Sequence, residues 1–110
     1  MCGLTGILVA EHQTADGLRR LVQAMTATLV HRGPDADGTW AEDGVALGHR
    51  RLSVLDLSPA GAQPMASATG RYVIAFNGEI YNHLDLRRDL GAEGAAPVWR
   101  GHAATETLLA

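Results

Sequence analysis

The chain opens Met1-Cys2-Gly3-Leu4-Thr5-Gly6-Ile7-Leu8-Val9-Ala10-Glu11-His12-Gln13. Gly3 to Ala10 is a short apolar run closed by polar residues, a pattern that predicts a buried strand rather than a helix. Cys2 falls at the start of that strand. If the initiator methionine is removed, Cys2 carries both a thiol and the α-amine of the chain. An α-amine titrates at about 7.7 to 8.0 and a thiol at about 8.5, so the two can exchange a proton near neutral pH without a histidine. Nucleophile and base would then share one residue. Cys2 is also the single cysteine, which excludes an internal disulfide, and Glu11 arrives before any signal-peptide pattern is complete. A reducing, cytoplasmic setting is the expectation.

Beyond this strand, Leu18, Leu21, Val22, Met25 and Leu29 recur at three- and four-residue steps, predicting one apolar face of a helix that Asp16 could cap. His31 to Gly38, with Gly33 and Pro34, reads as a structured loop. Thr39-Trp40 and Val45 to His49 fit a hairpin turning at Glu42-Asp43-Gly44, and Arg50 to Leu57 continues as extended chain. Ser58 to Gly70 reads as a surface connection and Arg71 to Phe76 as a strand. Asn77-Gly78-Glu79 is a turn, and Ile80, Leu84, Leu86 and Leu90 predict a helix from near Asn82 that ends across Gly91 to Pro97. Thr105 to Ala110 begins a further helix and stops early, as though the chain were cut inside an element. Strands and helices come in blocks, so the expected class is α+β.

With 110 residues there is room for one domain or less, since domains commonly run to about 100 to 200 residues. A hydrophobic share of 46% with 19% charged matches a globular protein. No run approaches the roughly 18 apolar residues of a membrane helix. The net charge of -3 is spread along the chain, so neither nucleic acid nor a membrane surface is an expected partner. All nine basic residues are arginine, which excludes a lysine Schiff base and a P-loop. The histidines His12, His31, His49, His83 and His102 show no metal-ligand spacing and are expected in polar loops or at the surface; no metal site is expected.

Four motifs then stand in order: Met1-Cys2-Gly3-Leu4-Thr5-Gly6, His31-Arg32-Gly33-Pro34-Asp35, Arg51-Leu52-Ser53-Val54 and Phe76-Asn77-Gly78-Glu79-Ile80-Tyr81-Asn82. Together they resemble the N-terminal glutaminase domain of glutamine-hydrolysing asparagine synthetases, class II glutamine amidotransferases. The resemblance implies an N-terminal-nucleophile hydrolase fold, an αββα sandwich, of which residues 1–110 supply the N-terminal part without the synthetase domain. It implies that Cys2 is the nucleophile with its α-amine as base, and that the Asn77 side chain and Gly78 N–H are oxyanion donors. It further implies that Arg51 grips the substrate carboxylate, that the Val54 carbonyl receives the substrate amine, and that Glu79 lies near that amine. Arg50 is the neighbouring contrast, expected as a solvated surface charge. His31, Arg32 and Asp35 are implied as wall and support, with Pro34 fixing their turn.

The activity implied is hydrolysis of the glutamine side-chain amide, with ammonia passed to ATP-dependent asparagine synthesis in a synthetase domain in cis or trans. No cofactor is implied for this part; ATP and magnesium belong to the synthetase domain. One position departs from the pattern. After Trp99-Arg100-Gly101-His102 the family usually reads Ser-Asp-Thr-Glu, its Asp binding the substrate amine, and here Ala103-Ala104-Thr105-Glu106 stands instead. Glu106 is two residues on, where its backbone directs it elsewhere. A catalytically impaired structural or regulatory remnant, and an N-terminal-cysteine amidohydrolase for another amide, are the alternative readings.

Overall fold

A computed structural model describes residues 1–52 and 58–110. Its elements are β1 (Gly3–Leu8), α1 (Ala15–Ala27), β2 (Ala36–Glu42), β3 (Val45–Arg51), a 3-10 turn (Pro59–Gly61), β4 (Met65–Ala66), β5 (Val73–Ile74), α2 (His83–Ala92) and α3 (Ala104–Leu109). The fold is mixed α and β. Three strands form an antiparallel sheet in the order β1-β3-β2, and β4 and β5 form a separate antiparallel pair.

Register decides which side chains meet. Ile7 pairs with Ala46 and Ala41 with Ala46, and this row packs on Leu18 and Val22 of α1 to make the core. Because side chains alternate along a strand, Thr5, Gly48 and Thr39 continue that face. The opposite face carries Leu4, His49 and Gly38 in one row, and Arg51 opposite Ala36 in the next. Cys2, one residue ahead of the Gly3–Arg50 pair, lies across from Arg51. The chain from Gln63 to Phe76 covers this second face, since Gly38 abuts the Gln63 carbonyl and His49 meets the Phe76 carbonyl. α3 in turn contacts β4 and β5.

The α1 periodicity is borne out with changes. Thr14, not Asp16, is the N-cap, its hydroxyl accepting from Gly17 N–H at 3.2 Å. A cap needs non-helical backbone, and Asp16 is already inside the first turn, paired with Arg19. The β2–β3 turn reinforces this start, with Asp43 Oδ1 accepting from Ala15 N–H at 3.0 Å. Leu21 is 52% exposed, whereas Thr26, unremarked in the sequence, is buried. Its hydroxyl bonds the Val22 carbonyl at 2.7 Å and Thr5 Oγ1 at 2.9 Å, so the polar group is satisfied within the core.

Three further expectations change. β2 begins at Ala36, three residues earlier than expected, because Ala36, Asp37 and Gly38 pair with Arg51, Arg50 and His49. Ser58 to Gly70 is no plain surface connection: it holds the 3-10 turn and β4, and buries Met65 and Ser67. α2 forms where expected but buries none of its residues, with Leu84 and Leu86 exposed. It is held instead by Arg87, which donates to Thr107 Oγ1 and to the Gly101 and Ala103 carbonyls and stacks on the Trp99 ring at 4.0 Å. Glu106, 3% exposed, accepts from the N–H groups of Arg100 and Gly101 at 2.7 and 3.1 Å and pairs with both arginines. As the sequence predicts, its side chain is directed away from the region lined by Ala104.

Candidate active site

A cavity of about 460 Å³ opens on the sheet face opposite α1. Cys2 and Arg51 reach it from the ends of β1 and β3, as strand parity requires. Asn77, Gly78 and Glu79 enter from the loop after β5, and Ala104 from the first turn of α3. Five of the six residues given catalytic or substrate-binding roles by the resemblance, Cys2, Arg51, Asn77, Gly78 and Glu79, therefore share one cavity. Val54, the sixth, lies outside the described residues.

The Cys2 sulfur accepts from the Leu52 N–H at 3.3 Å and contacts the Leu52 carbonyl at 3.6 Å. Arg32 Nη2 donates to the Cys2 carbonyl at 3.4 Å, fixing the chain behind the thiol. Met1 is 76% exposed and itself lines the cavity, so its removal both frees the Cys2 α-amine and clears space beside the thiol. Arg51 Nη1 donates to the Ser58 carbonyl at 2.9 Å, its one side-chain hydrogen bond among the described residues. Arg51 and Glu79 are oppositely charged side chains on one cavity, a distribution suited to a zwitterion.

His31, Arg32 and Asp35 are not among the residues that line the cavity, against the expected wall role; Arg32 bonds the Cys2 carbonyl and the Asp35 N–H donates to the Arg51 carbonyl at 3.0 Å, while His31 is exposed. Their loop is locked by close approach. A Cβ on Gly33 would overlap the Arg50 backbone, and Arg50 Nε donates to the Gly33 carbonyl at 2.8 Å. Arg50 also pairs with Asp37 at 3.7 Å and its side chain is 13% exposed, so it is a structural clamp and not the solvated charge expected.

His49 is the largest omission of the sequence reading. It is 1% exposed, not a loop or surface histidine, and it lines the cavity. Burial lowers its pKa; the Phe76 carbonyl opposes this, and the Arg51 charge adds to the lowering. Position was the available signal, because residues 49 and 51 of one strand share a face. Gln63, also lining the cavity, carried no local signal. Among the described residues no group of three or more His, Cys, Asp or Glu side chains could hold a metal ion, and no helix is long and apolar enough to cross a membrane.

Comparison with known proteins defines the class. Residues 1–110 match the glutamine amidotransferase domain family along the whole chain, and the protein belongs to that family. Within it the similarity is to asparagine synthetases. The chain is 42% identical to asparagine synthetase [glutamine-hydrolyzing] 1 of Bacillus subtilis (strain 168), over 100% of this chain and 17% of that protein. It is 45% identical to asparagine synthetase 3 of the same organism, over 86% of this chain and 15% of that protein. Against asparagine synthetase B of Escherichia coli (strain K12) it is 40% identical over 83% of this chain and 16% of that protein. The chain thus spans about one-sixth of the length of these relatives.

Proposed function

We propose that this chain is the glutaminase part of an asparagine synthetase, hydrolysing the side-chain amide of glutamine through Cys2. The convergence of Cys2, Arg51, Asn77 and Gly78 on one cavity carries the reading. Once Met1 is removed, the Cys2 α-amine takes the thiol proton as sulfur attacks the amide carbon. The developing oxyanion is received by the Asn77 side-chain amide and the Gly78 N–H. Collapse breaks the C–N bond, the α-amine returns its proton to the leaving nitrogen, and ammonia departs from a glutamyl thioester. Water then resolves the thioester to glutamate and free thiol. Arg51 holds the substrate carboxylate through a charge-assisted bond, and Glu79 is the lining carboxylate on hand for its ammonium.

Residues 1–110 form the N-terminal part of this domain in the proposal. The succession of α1, the three-stranded sheet, the β4–β5 pair and α3 supports an N-terminal-nucleophile hydrolase αββα sandwich. Ammonia would be consumed by a synthetase domain, in cis as in the relatives' greater length or in trans, using ATP and magnesium bound there. The family match along the whole chain favours this reading over that of a non-catalytic remnant. The test is glutamine-dependent release of glutamate and ammonia by the wild-type chain and by Cys2→Ser. Loss of both products in Cys2→Ser supports the assignment; equal release by the two forms refutes it.

A further inference from the structure

Phe76 immediately precedes Asn77 and Gly78, and side chains from two other segments occupy both of its backbone polar groups. Its N–H donates to Gln63 Oε1 at 2.6 Å. Its carbonyl oxygen meets His49 Nε2 at 3.3 Å. A carbonyl only accepts, so this bond requires the ring hydrogen on Nε2 and leaves Nδ1 as the bare nitrogen. Among the described residues Nδ1 is buried without a partner, a cost that an aliphatic side chain in the same place would not carry. Burial and the Arg51 charge lower the His49 pKa while the Phe76 carbonyl opposes this, and Nε2 carries its hydrogen toward that carbonyl in the neutral and the protonated ring alike.

Gln63 is itself anchored twice. Its Nε2 donates to Thr105 Oγ1 of α3 at 3.2 Å. Its main-chain carbonyl oxygen rests on Gly38, the β2 residue paired with His49, where any Cβ would overlap it. The sheet, the loop before β4 and α3 are thereby joined at one residue, through the peptide units on either side of the Phe76 Cα. Rotation of either unit about Phe76 would swing both Asn77 and Gly78.

We propose that His49 and Gln63 are positioning residues that clamp the Phe76 backbone and thereby fix the Asn77 and Gly78 donors relative to the Cys2 sulfur. The proposal rests on the glutaminase reading above. Neither residue touches the reacting atoms; both act through Phe76. A displacement of about 1 Å in a catalytic group can cost on the order of a hundredfold in rate, so the effect of releasing the clamp falls on kcat.

The experiment compares His49→Leu, His49→Gln, Gln63→Leu and Gln63→Glu in the full chain with Met1 removed. His49→Gln keeps an N–H donor and Gln63→Glu keeps the acceptor. The leucine variants are expected to lower kcat for glutamine roughly ten- to a hundredfold with KM within about twofold. The conservative variants should recover to within about threefold of wild type, and the double leucine variant should lose less than the product of the singles, since both act on the backbone of one residue. Alkylation of Cys2 by iodoacetamide forms no oxyanion and should keep its rate in every variant. Equal loss of alkylation and hydrolysis, a change confined to KM, or no rescue by the conservative variants overturns the proposal. If the leucine variants do not fold, amide NMR of His49→Asn and Gln63→Asn, whose shortened polar side chains fall short of Phe76, decides. Shifts centred on Phe76, Asn77 and Gly78 support the clamp, and unshifted amides there overturn it. If the wild-type chain releases no glutamate while those amides respond, the glutaminase reading fails and the clamp stands.

Discussion

Replacing Ala104 by aspartate is expected to lower the KM for glutamine by roughly 10 to 150-fold. Ala104 is 7% exposed, lines the cavity and is the first residue of α3, with Ala103 as an N-cap that provides no side-chain bond. Among the described cavity residues Glu79 is the carboxylate present, and it is exposed, where solvent weakens its hold on an ammonium. A charge-assisted hydrogen bond in a sheltered site contributes about 1.5 to 3 kcal/mol, and 1.4 kcal/mol is about tenfold in binding, which gives the range stated. A carboxylate in the first turn of a helix is also favoured by about 0.3 to 1 kcal/mol, so the variant should fold. Desolvating the new carboxylate works against the gain, which puts the lower end of the range as the safer expectation. The substrate amine lies at the far end of glutamine from the scissile amide, so kcat should stay within about threefold. Steady-state glutaminase kinetics on both forms measure this, with 5-amino-5-oxopentanoate, glutamine without its α-amine, as the control. KM for that control should not fall, because there is no ammonium to pair. An unchanged KM for glutamine, or an equal fall for the control, would refute the reasoning that Ala104 faces the substrate amine.

A chain carrying extra residues ahead of Cys2 should release no ammonia while intact-mass analysis shows Met1 absent from the active form; normal turnover by the extended chain contradicts the α-amine base. Asn77→Ala should lower kcat by about 100 to 1,000-fold with little change in KM, whereas Arg51→Ala should act mainly on KM, because the carboxylate is held in ground and transition states alike. Glu106→Ala should cost about 3 to 5 kcal/mol in denaturant unfolding, since Arg87, its side chain 11% exposed, loses its buried partner; a loss under about 1 kcal/mol would show the pair to be dispensable. Acid should destabilise the fold in two stages. For His49 the folded pKa lies below the ordinary 6.5, so the unfolded chain takes up the proton first and stability falls as pH drops from there through the folded value. For Glu106 burial raises the pKa but the Arg100 and Gly101 N–H groups and the Arg100 side chain outweigh it, so its contribution is present above 4.5 and lost as pH falls through the lowered folded value. In His49→Gln the first stage should vanish from a pH series of unfolding midpoints.

What the sequence determined by itself was the set of elements whose signals are local. The apolar run after Cys2, the period of Leu18, Val22 and Met25, and the turn at Asp43-Gly44 each need only neighbouring residues, and β1, α1 and the β2–β3 hairpin follow. Motif order likewise indicated the family and the residues that line the cavity. Tertiary structure decided the rest, because the deciding partners are far apart in the chain. Ala36 to Gly38 become strand only because β3 lies alongside, and the weak signal of Ser58 to Gly70 gives way to its packing over the sheet. Arg50 and His49 look alike as polar residues in a strand, yet strand parity sends Arg50 to clamp Gly33 and His49 to the cavity. Gln63 has no local pattern at all; its two amide atoms acquire meaning only when Phe76 and Thr105 are brought to them by the fold. Hydrogen-bond satisfaction in a buried site is a property of three-dimensional neighbours, and linear spacing does not encode it.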